Sequence, residues 1–215
     1  ANQTAGFSVV QYTGNATGGA TVGHGLGATP KMIIVKPVSS TGNWIVYHSS
    51  LGNTKSLYLQ STAAVNTDIG YWNNTSPTSS VFSLGSGSDA NQNGVVNIGY
   101  CWAEIPGYSK FGSYVGNAST SGPFVYCGFR PKWVMYKSTS SSQWGIFDSS
   151  RNAYNSANLL IQANTYNAES DNTATYDFLS NGFKLRLATY EPNKSGETYI
   201  FAAFAENPFK YALAR

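Results

Sequence analysis

Ile98-Gly99-Tyr100-Cys101-Trp102-Ala103-Glu104-Ile105-Pro106-Gly107 decides how the chain is read, because it returns near the C-terminus as Ile200-Phe201-Ala202-Ala203-Phe204-Ala205-Glu206-Asn207-Pro208-Phe209. Ile98, Ala103, Glu104 and Pro106 each recur 102 positions later. Within the first stretch, Val96, Ile98, Tyr100 and Trp102 alternate with Asn97, Gly99, Cys101 and Ala103. One side is bulky and the other small, the pattern of a central β-strand that a second sheet approaches closely.

Working outward, the likeness spreads over nearly the whole sequence. Tyr12-Thr13-Gly14-Asn15 is answered by Tyr114-Val115-Gly116-Asn117, and Pro30-Lys31-Met32-Ile33-Ile34-Val35-Lys36 by Pro131-Lys132-Trp133-Val134-Met135-Tyr136-Lys137. Asn43-Trp44-Ile45-Val46-Tyr47-His48-Ser49 pairs with Gln143-Trp144-Gly145-Ile146-Phe147-Asp148-Ser149, and Phe82-Ser83-Leu84 with Phe183-Lys184-Leu185. A self-similarity of about a hundred residues predicts a duplicated unit. We expect two repeats, 1–107 and 108–215, closely packed with no linker between them.

Each repeat reads as all-β. Phe7 to Tyr12 alternates apolar with polar, and Met32 to Val35 is an unbroken apolar run bracketed by lysines, the mark of a strand buried on both faces. Trp44 to Tyr47, Leu57 to Leu59, Phe82 to Leu84 and Val95 to Glu104 follow as strands, with Gly, Asn and Ser clusters as turns. Asn66 to Ser80 reads as a polar loop carrying Tyr71 and Trp72. Asn155 to Ile161 has room for one helical turn. The expected fold class is therefore all-β: two sequence-related units of about 102 residues, each a β-sandwich or jelly roll.

Composition bounds the function. Charged residues make up only 11% of the chain, while aromatics reach 14% with 15 Tyr; an average domain has about a quarter charged. The net charge of +3 is scattered with no Lys/Arg run, so nucleic-acid binding has no electrostatic footing. No apolar run approaches the roughly 20 residues of a membrane span, which argues against membrane insertion. No signal peptide is visible, and the opening Ala-Asn-Gln without Met suggests a processed product or a piece of something longer. Cys101 and Cys127 read as free buried thiols, with a single bridge between them as the alternative.

Candidate chemistry is sparse. Asp89, Asn91, Asn93 and Gly94 satisfy the first half of a calcium-loop pattern, but the twelfth position is Tyr100 in a strand where a bidentate Glu is required. An ordinary turn is the better reading. Glu104 and Glu206 resemble the carboxylate pair of a glycosidase, yet the repetition alone places them. His24 and His48 have no zinc-like partners in sequence, and His48, alone at a strand end, reads as a surface residue. No cofactor motif is present. Trp44, Trp144, Trp102 and Phe204 recur in both repeats and read as core. Tyr71, Trp72, Tyr154, Tyr166 and Tyr176 have no clear twin and lie among Asn, Ser and Thr. They are the candidate ligand-binding residues, for sugar stacking or for a subunit interface.

His24-Gly25-Leu26-Gly27-Ala28-Thr29-Pro30, Gly107-Tyr108-Ser109-Lys110-Phe111-Gly112-Ser113-Tyr114, Leu179-Ser180-Asn181-Gly182-Phe183-Lys184-Leu185 and Ala203-Phe204-Ala205-Glu206-Asn207-Pro208-Phe209 carry a resemblance. The chain resembles the uncharacterised distal domain of tail-fibre and virion structural proteins of marine tailed phages. That resemblance implies a virion exterior location, a homo-oligomer such as a homotrimer, and other virion proteins as partners. It implies no catalytic residues. The expectation is a non-enzymatic receptor-binding module attaching to a host-surface glycan or protein receptor. A purely structural decoration, or a polysaccharide-cleaving enzyme using Glu104 or Glu206, are the competing readings.

Overall fold

The computed structural model describes residues 1–188 and 191–207, with the side chains of 172–174 left aside. Pro208 and Phe209 of the recurring C-terminal stretch lie outside the described residues. The regular structure of the described residues is almost entirely strand, and the chain divides into two compact units, Ala1–Glu104 and Ile105–Arg215.

In the first unit the strands are β1 (Phe7–Thr13), β2 (Ala20–Gly23), β3 (Pro30–Pro37), β4 (Ile45–His48), β5 (Lys55–Tyr58), β6 (Asn66–Thr67), β7 (Val81–Leu84) and β8 (Val96–Ala103), with single helical turns α1 (Ile69–Trp72) and α2 (Ser88–Asn91). A six-stranded sheet runs β1-β8-β3-β4-β5-β6, and β2 pairs with β7 in a second, two-stranded sheet. The long strand read first from the sequence is β8, flanked by β1 and β3 with antiparallel pairings such as Ser8↔Cys101 and Ile33↔Cys101.

Alternation then decides the core. Ile33, Val35, Ile45, Tyr47, Cys101 and Ala103 from the large sheet meet Val22, Phe82 and Leu84 from the small one in a single buried cluster. The small side of β8 is the side turned into this sandwich: Asn97, Gly99, Cys101 and Ala103 are buried, while Val96, Ile98, Tyr100 and Trp102 are half-buried. Gly99 lies under the Phe82 ring, where an added Cβ would sit 3.5 Å from it. Close approach of two sheets is thus why this face carries no large side chain. Met32 and Ile34, on the alternate side of β3, are buried as well, in keeping with its unbroken apolar run.

The second unit holds β9 (Ser109–Val115), β10 (Phe124–Tyr126), β11 (Pro131–Ser138), β12 (Gly145–Asp148), β13 (Ala157–Gln162), β14 (Ser170–Leu179), β15 (Gly182–Leu185) and β16 (Thr198–Ala205). All eight join one sheet in the order β10-β15-β14-β13-β12-β11-β16-β9. Read from the β9 end, the order follows that of the first unit from β1. The sheet closes over itself: Phe183 of β15 lies 5.3 Å from Phe201 of β16 and 6.0 Å from Tyr114 of β9, ring centre to ring centre. In the first unit the corresponding passage is broken by α1, which separates β7 from the large sheet.

Three sequence readings are corrected here. Residues 157–162 form a strand, not a helical turn: Ala157 is buried opposite Tyr176, and a Leu-rich alternation suits that pairing. Asn66–Ser80 is not a plain loop but contains β6 and α1. Trp44, Trp102 and Phe204 are half-buried, not core. Phe7, Trp102, Tyr100 and Trp44 instead form a ladder of rings with centroids 5.1–6.3 Å apart on the face of the sheet turned from the sandwich core. Trp144 is buried as expected.

Candidate functional site

The motif Tyr-x-Gly-Asn builds the same corner in each unit. In the first, the Tyr12 hydroxyl donates to Ala90 O at 2.6 Å, and the Asn15 amide donates to Asn91 Oδ1 at 2.9 Å. Asn91 Nδ2 donates to Gly85 O and Thr17 O at 2.7 and 3.0 Å. In the second, Tyr114 donates to Pro192 O at 3.0 Å, Asn117 N to Asn193 Oδ1 at 2.9 Å, and Asn193 Nδ2 to Leu187 O at 2.6 Å and Ser119 O at 2.9 Å. Both asparagines are buried. Gly14 and Gly116 pass so close to the carbonyls of Gln92 and Lys194 that no Cβ fits.

This geometry disposes of the calcium reading. Asn91 spends its side chain on three backbone groups, and Asp89 accepts from Asn43 N and Nδ2 at 2.9 and 2.8 Å. Asn93 is exposed. Among the described residues no group of three His, Cys, Asp or Glu side chains could hold a metal ion. The residue types that suggested a cation loop serve instead to tie turns together, the ordinary work of Asx side chains.

Of the five candidate ligand-binding rings, three are corrected. Trp72 is 1% exposed and Tyr71 and Tyr176 are buried too. Asp68 caps α1 by accepting from Gly70 N, and Asn73 closes it in the left-handed conformation (φ 51°). That single turn swings Tyr71 and Trp72 into the core, Trp72 edge-on to Tyr47 and Phe82. Tyr176 packs 4.7 Å from Phe147 and exchanges a hydroxyl contact of 3.3 Å with Tyr114. Polar neighbours hid this inward orientation.

Tyr154 and Tyr166 are the two that stand in solvent, 87% and 102% exposed. Tyr154 rides between two anchored asparagines. Asn152 Oδ1 accepts from Asn158 N and Leu159 N, while Asn155 bonds Phe178 through both Oδ1 and Nδ2. Its loop is therefore held before any partner arrives. Tyr166 follows a turn in which Thr165 N donates to Gln162 O.

The histidines are not surface residues. His24 and His48 are each 1% exposed. His24 Nδ1 accepts from Leu26 N, which places the ring proton on Nε2, 3.2 Å from Thr78 O. His48 Nδ1 accepts from Ser50 N, and Asp148 at the equivalent strand end accepts from Ser150 N and Arg151 N. The shared task is to cap a turn, which either side chain can do. Burial lowers the His24 pKa below its usual 6.5. The native state then resists protonation, so stability from this group is present above about pH 6.5 and lost as pH falls. The urea midpoint of the native chain should drop further between pH 7.5 and 4.5 than that of His24→Gln; equal drops would refute the assignment.

Glu206 pairs with Arg130 at 3.0 Å within the second unit, and Glu104 is half-buried just beyond β8 in the first. Neither cysteine is in a disulfide, and burial pushes the Cys101 thiol up to about 12. Lys137 is fully buried, and its ammonium donates to Ser138 O and Ser140 O at 3.0 and 2.9 Å. Burial lowers its pKa to about 8, with Glu191 and Glu197 pulling it back up. Ser142 Oγ lies 3.4 Å away but donates toward Gln143 O. The hydroxyl is thus committed to the backbone, and the cluster stitches the 138–142 loop without presenting a nucleophile.

A surface not singled out from the sequence lies on β10. Phe124 and Tyr126 are 46% and 63% exposed while Val125 between them is buried. Phe124 faces Lys184 and Tyr126 faces Gly182 across the β10–β15 pairing; Lys184 and Gly182 face Asp177 and Leu179 across β15–β14. Arg186 Nε reaches Asp177 at 3.2 Å, and Lys184 Nζ reaches Ser121 Oγ at 3.3 Å. The sequence carries no signal for it, because Phe124-Val125-Tyr126 is a short run of apolar residues.

These observations define an all-β protein of two sandwich-like units, each cross-tied by a buried asparagine and a tyrosine hydroxyl. Residues 1–208 match the family described as Domain of unknown function (DUF7483), and the chain belongs to that family. No curated protein and no solved structure matches it. Among the described residues no helix is long and apolar enough to cross a membrane.

Proposed function

We propose that the chain is a non-catalytic exterior module of a tailed-phage fibre or related virion protein, attaching to host-surface glycan through weak sites multiplied over a homo-oligomer. The observation that carries this reading is the pair of exposed tyrosines, Tyr154 and Tyr166, set in Asn/Ser/Thr-rich loops on a rigid sheet. An aromatic ring whose neighbours are hydroxyls and amides offers a saccharide both a stacking face and hydrogen-bond partners. Anchoring of the Tyr154 loop lowers the ordering cost on contact. A homotrimer brings several such sites to one surface, so modest single affinities suffice. Other virion proteins would hold the module at the fibre.

Glycan arrays probed with the assembled protein test this. Tyr154→Ala and Tyr166→Ala should each weaken binding about tenfold or more, while changing stability by less than about 0.5 kcal/mol, as for other exposed positions. Failure of the native protein to retain any glycan would favour a purely structural fibre role. Release of reducing ends that disappears in Glu104→Gln or Glu206→Gln would favour an enzyme.

A further inference from the structure

We infer that the outer face of β10, β15 and β14 is a saccharide-binding platform, taking pyranose rings along the row Phe124–Lys184–Asp177. The inference rests on the glycan-attachment reading above and names a site for it distinct from the Tyr154 and Tyr166 loops.

Three features of the face support it. First, the outer ends of the two rings come up against glycines. A Cβ at Gly182 would meet the Phe124 ring at 3.1 Å, and one at Gly128 would meet the Tyr126 hydroxyl at 3.6 Å and its ring at 3.8–3.9 Å. With no side chain at those glycines the ring ends are not crowded, and Phe124 and Tyr126 stay 46% and 63% exposed, leaving aromatic surface open to stacking. Second, the polar groups are aligned with the rings and not scattered. Phe124, Lys184 and Asp177 occupy one cross-strand row, which spans roughly 10 Å at about 4.8 Å per strand. Tyr126, Gly182 and Leu179 occupy the next row, about 7 Å along the strands. That footprint accepts two sugar rings end to end. Third, donors and acceptor are mixed. Asp177 offers a carboxylate, Arg186 and Lys184 offer cationic N–H groups, and each has hydrogen-bonding capacity beyond its contact described above. Vicinal hydroxyls, which both donate and accept, match such a set.

The same features disfavour other occupants. An apolar helix or a second copy of this face would strip water from Asp177, Lys184 and Arg186 without replacing their partners. A phosphate backbone would meet the Asp177 carboxylate at the centre of the row. A pyranose has an apolar ring face and a polar rim, and covers both parts at once.

The test is titration of the full chain, followed by amide chemical shifts, with maltohexaose, cellohexaose and a hexameric uronate as probes. Saturable binding to one of them is expected, with shifts in β10, β15 and β14 as well as in the Tyr154 and Tyr166 loops. Tyr126→Ala should lower affinity at least tenfold, and Asp177→Asn should lower it while leaving the fold intact. Binding that maps only to the Tyr154 and Tyr166 loops and survives Tyr126→Ala would overturn this site but leave glycan attachment standing. No binding to any probe would overturn both.

Discussion

Asn193→Ala is expected to destabilise the second unit by about 3 kcal/mol, and Asn91→Ala the first by a similar amount. Asn193 is wholly buried, and its side chain accepts from Asn117 N and donates to Leu187 O and Ser119 O. Truncation leaves one amide and two carbonyls without the partner they share around a wholly buried side chain. Each such orphan costs about 1–3 kcal/mol, and partial relaxation of the loops keeps the total near the lower end of the sum. Asn193→Asp keeps the acceptor for Asn117 N but sets a buried carboxylate against the Leu187 and Ser119 carbonyls, so at neutral pH it should cost at least as much as the alanine. Urea unfolding monitored unit by unit through amide exchange checks this. A loss below about 0.5 kcal/mol in either alanine variant would mean the corner is not a staple.

The second large effect lies in alkali. Burial raises the phenol pKa of Tyr12, Tyr47, Tyr71, Tyr114, Tyr136, Tyr176 and Tyr199 above the usual 10. Close neighbours add to this in the second unit, where the hydroxyls of Tyr114 and Tyr176 meet and Glu191 faces Tyr199. A phenol that ionises late in the native state and near pH 10 once unfolded contributes stability that is intact below pH 10 and drains away as pH rises further. Several such groups act together, so the loss is expected to be large beside a typical domain stability of about 5–15 kcal/mol. Lys137 works in the other direction. With its native pKa near 8 against 10.5 unfolded, it adds stability as pH climbs through that window. The expected profile is flat or rising from pH 8 to about 10, followed by a steep collapse. Tyrosinate absorbance should then appear together with loss of the β-sheet circular dichroism signal. Free titration of these phenols near pH 10 with the sheet signal unchanged would contradict the burial assigned to them.

Both predictions centre on side chains whose role the sequence concealed. Asn91 was legible as a turn residue, and Gly14 and Gly116 as turn glycines, but nothing local says that one asparagine reaches three backbone groups up to 76 positions away. The five aromatic candidates show the same limit. Tyr154 and Tyr166 stand in solvent, where their polar neighbours suggested, whereas Tyr71, Trp72 and Tyr176 have equally polar neighbours and are buried. A capped helical turn in one case and a strand pairing in the other turn these three rings inward. Phe124 and Tyr126 escaped notice for the converse reason: an apolar triplet looks like core until Phe183 claims Val125 as its inward partner.

What the amino-acid order determined by itself was the alternation. Period-two patterning marked β1 and β8, an unbroken apolar run marked β3, the repeat marked their second-unit counterparts, and the small side of β8 announced a sheet packed close above Gly99. Such signals are local, because each residue's face in a strand follows from its neighbour's. What only the tertiary structure decided was which exposed-looking polar stretch folds under a sheet, and which ring is left outside. Those outcomes depend on contacts between residues far apart in the chain, where packing density and hydrogen-bond satisfaction outweigh the character of the flanking residues.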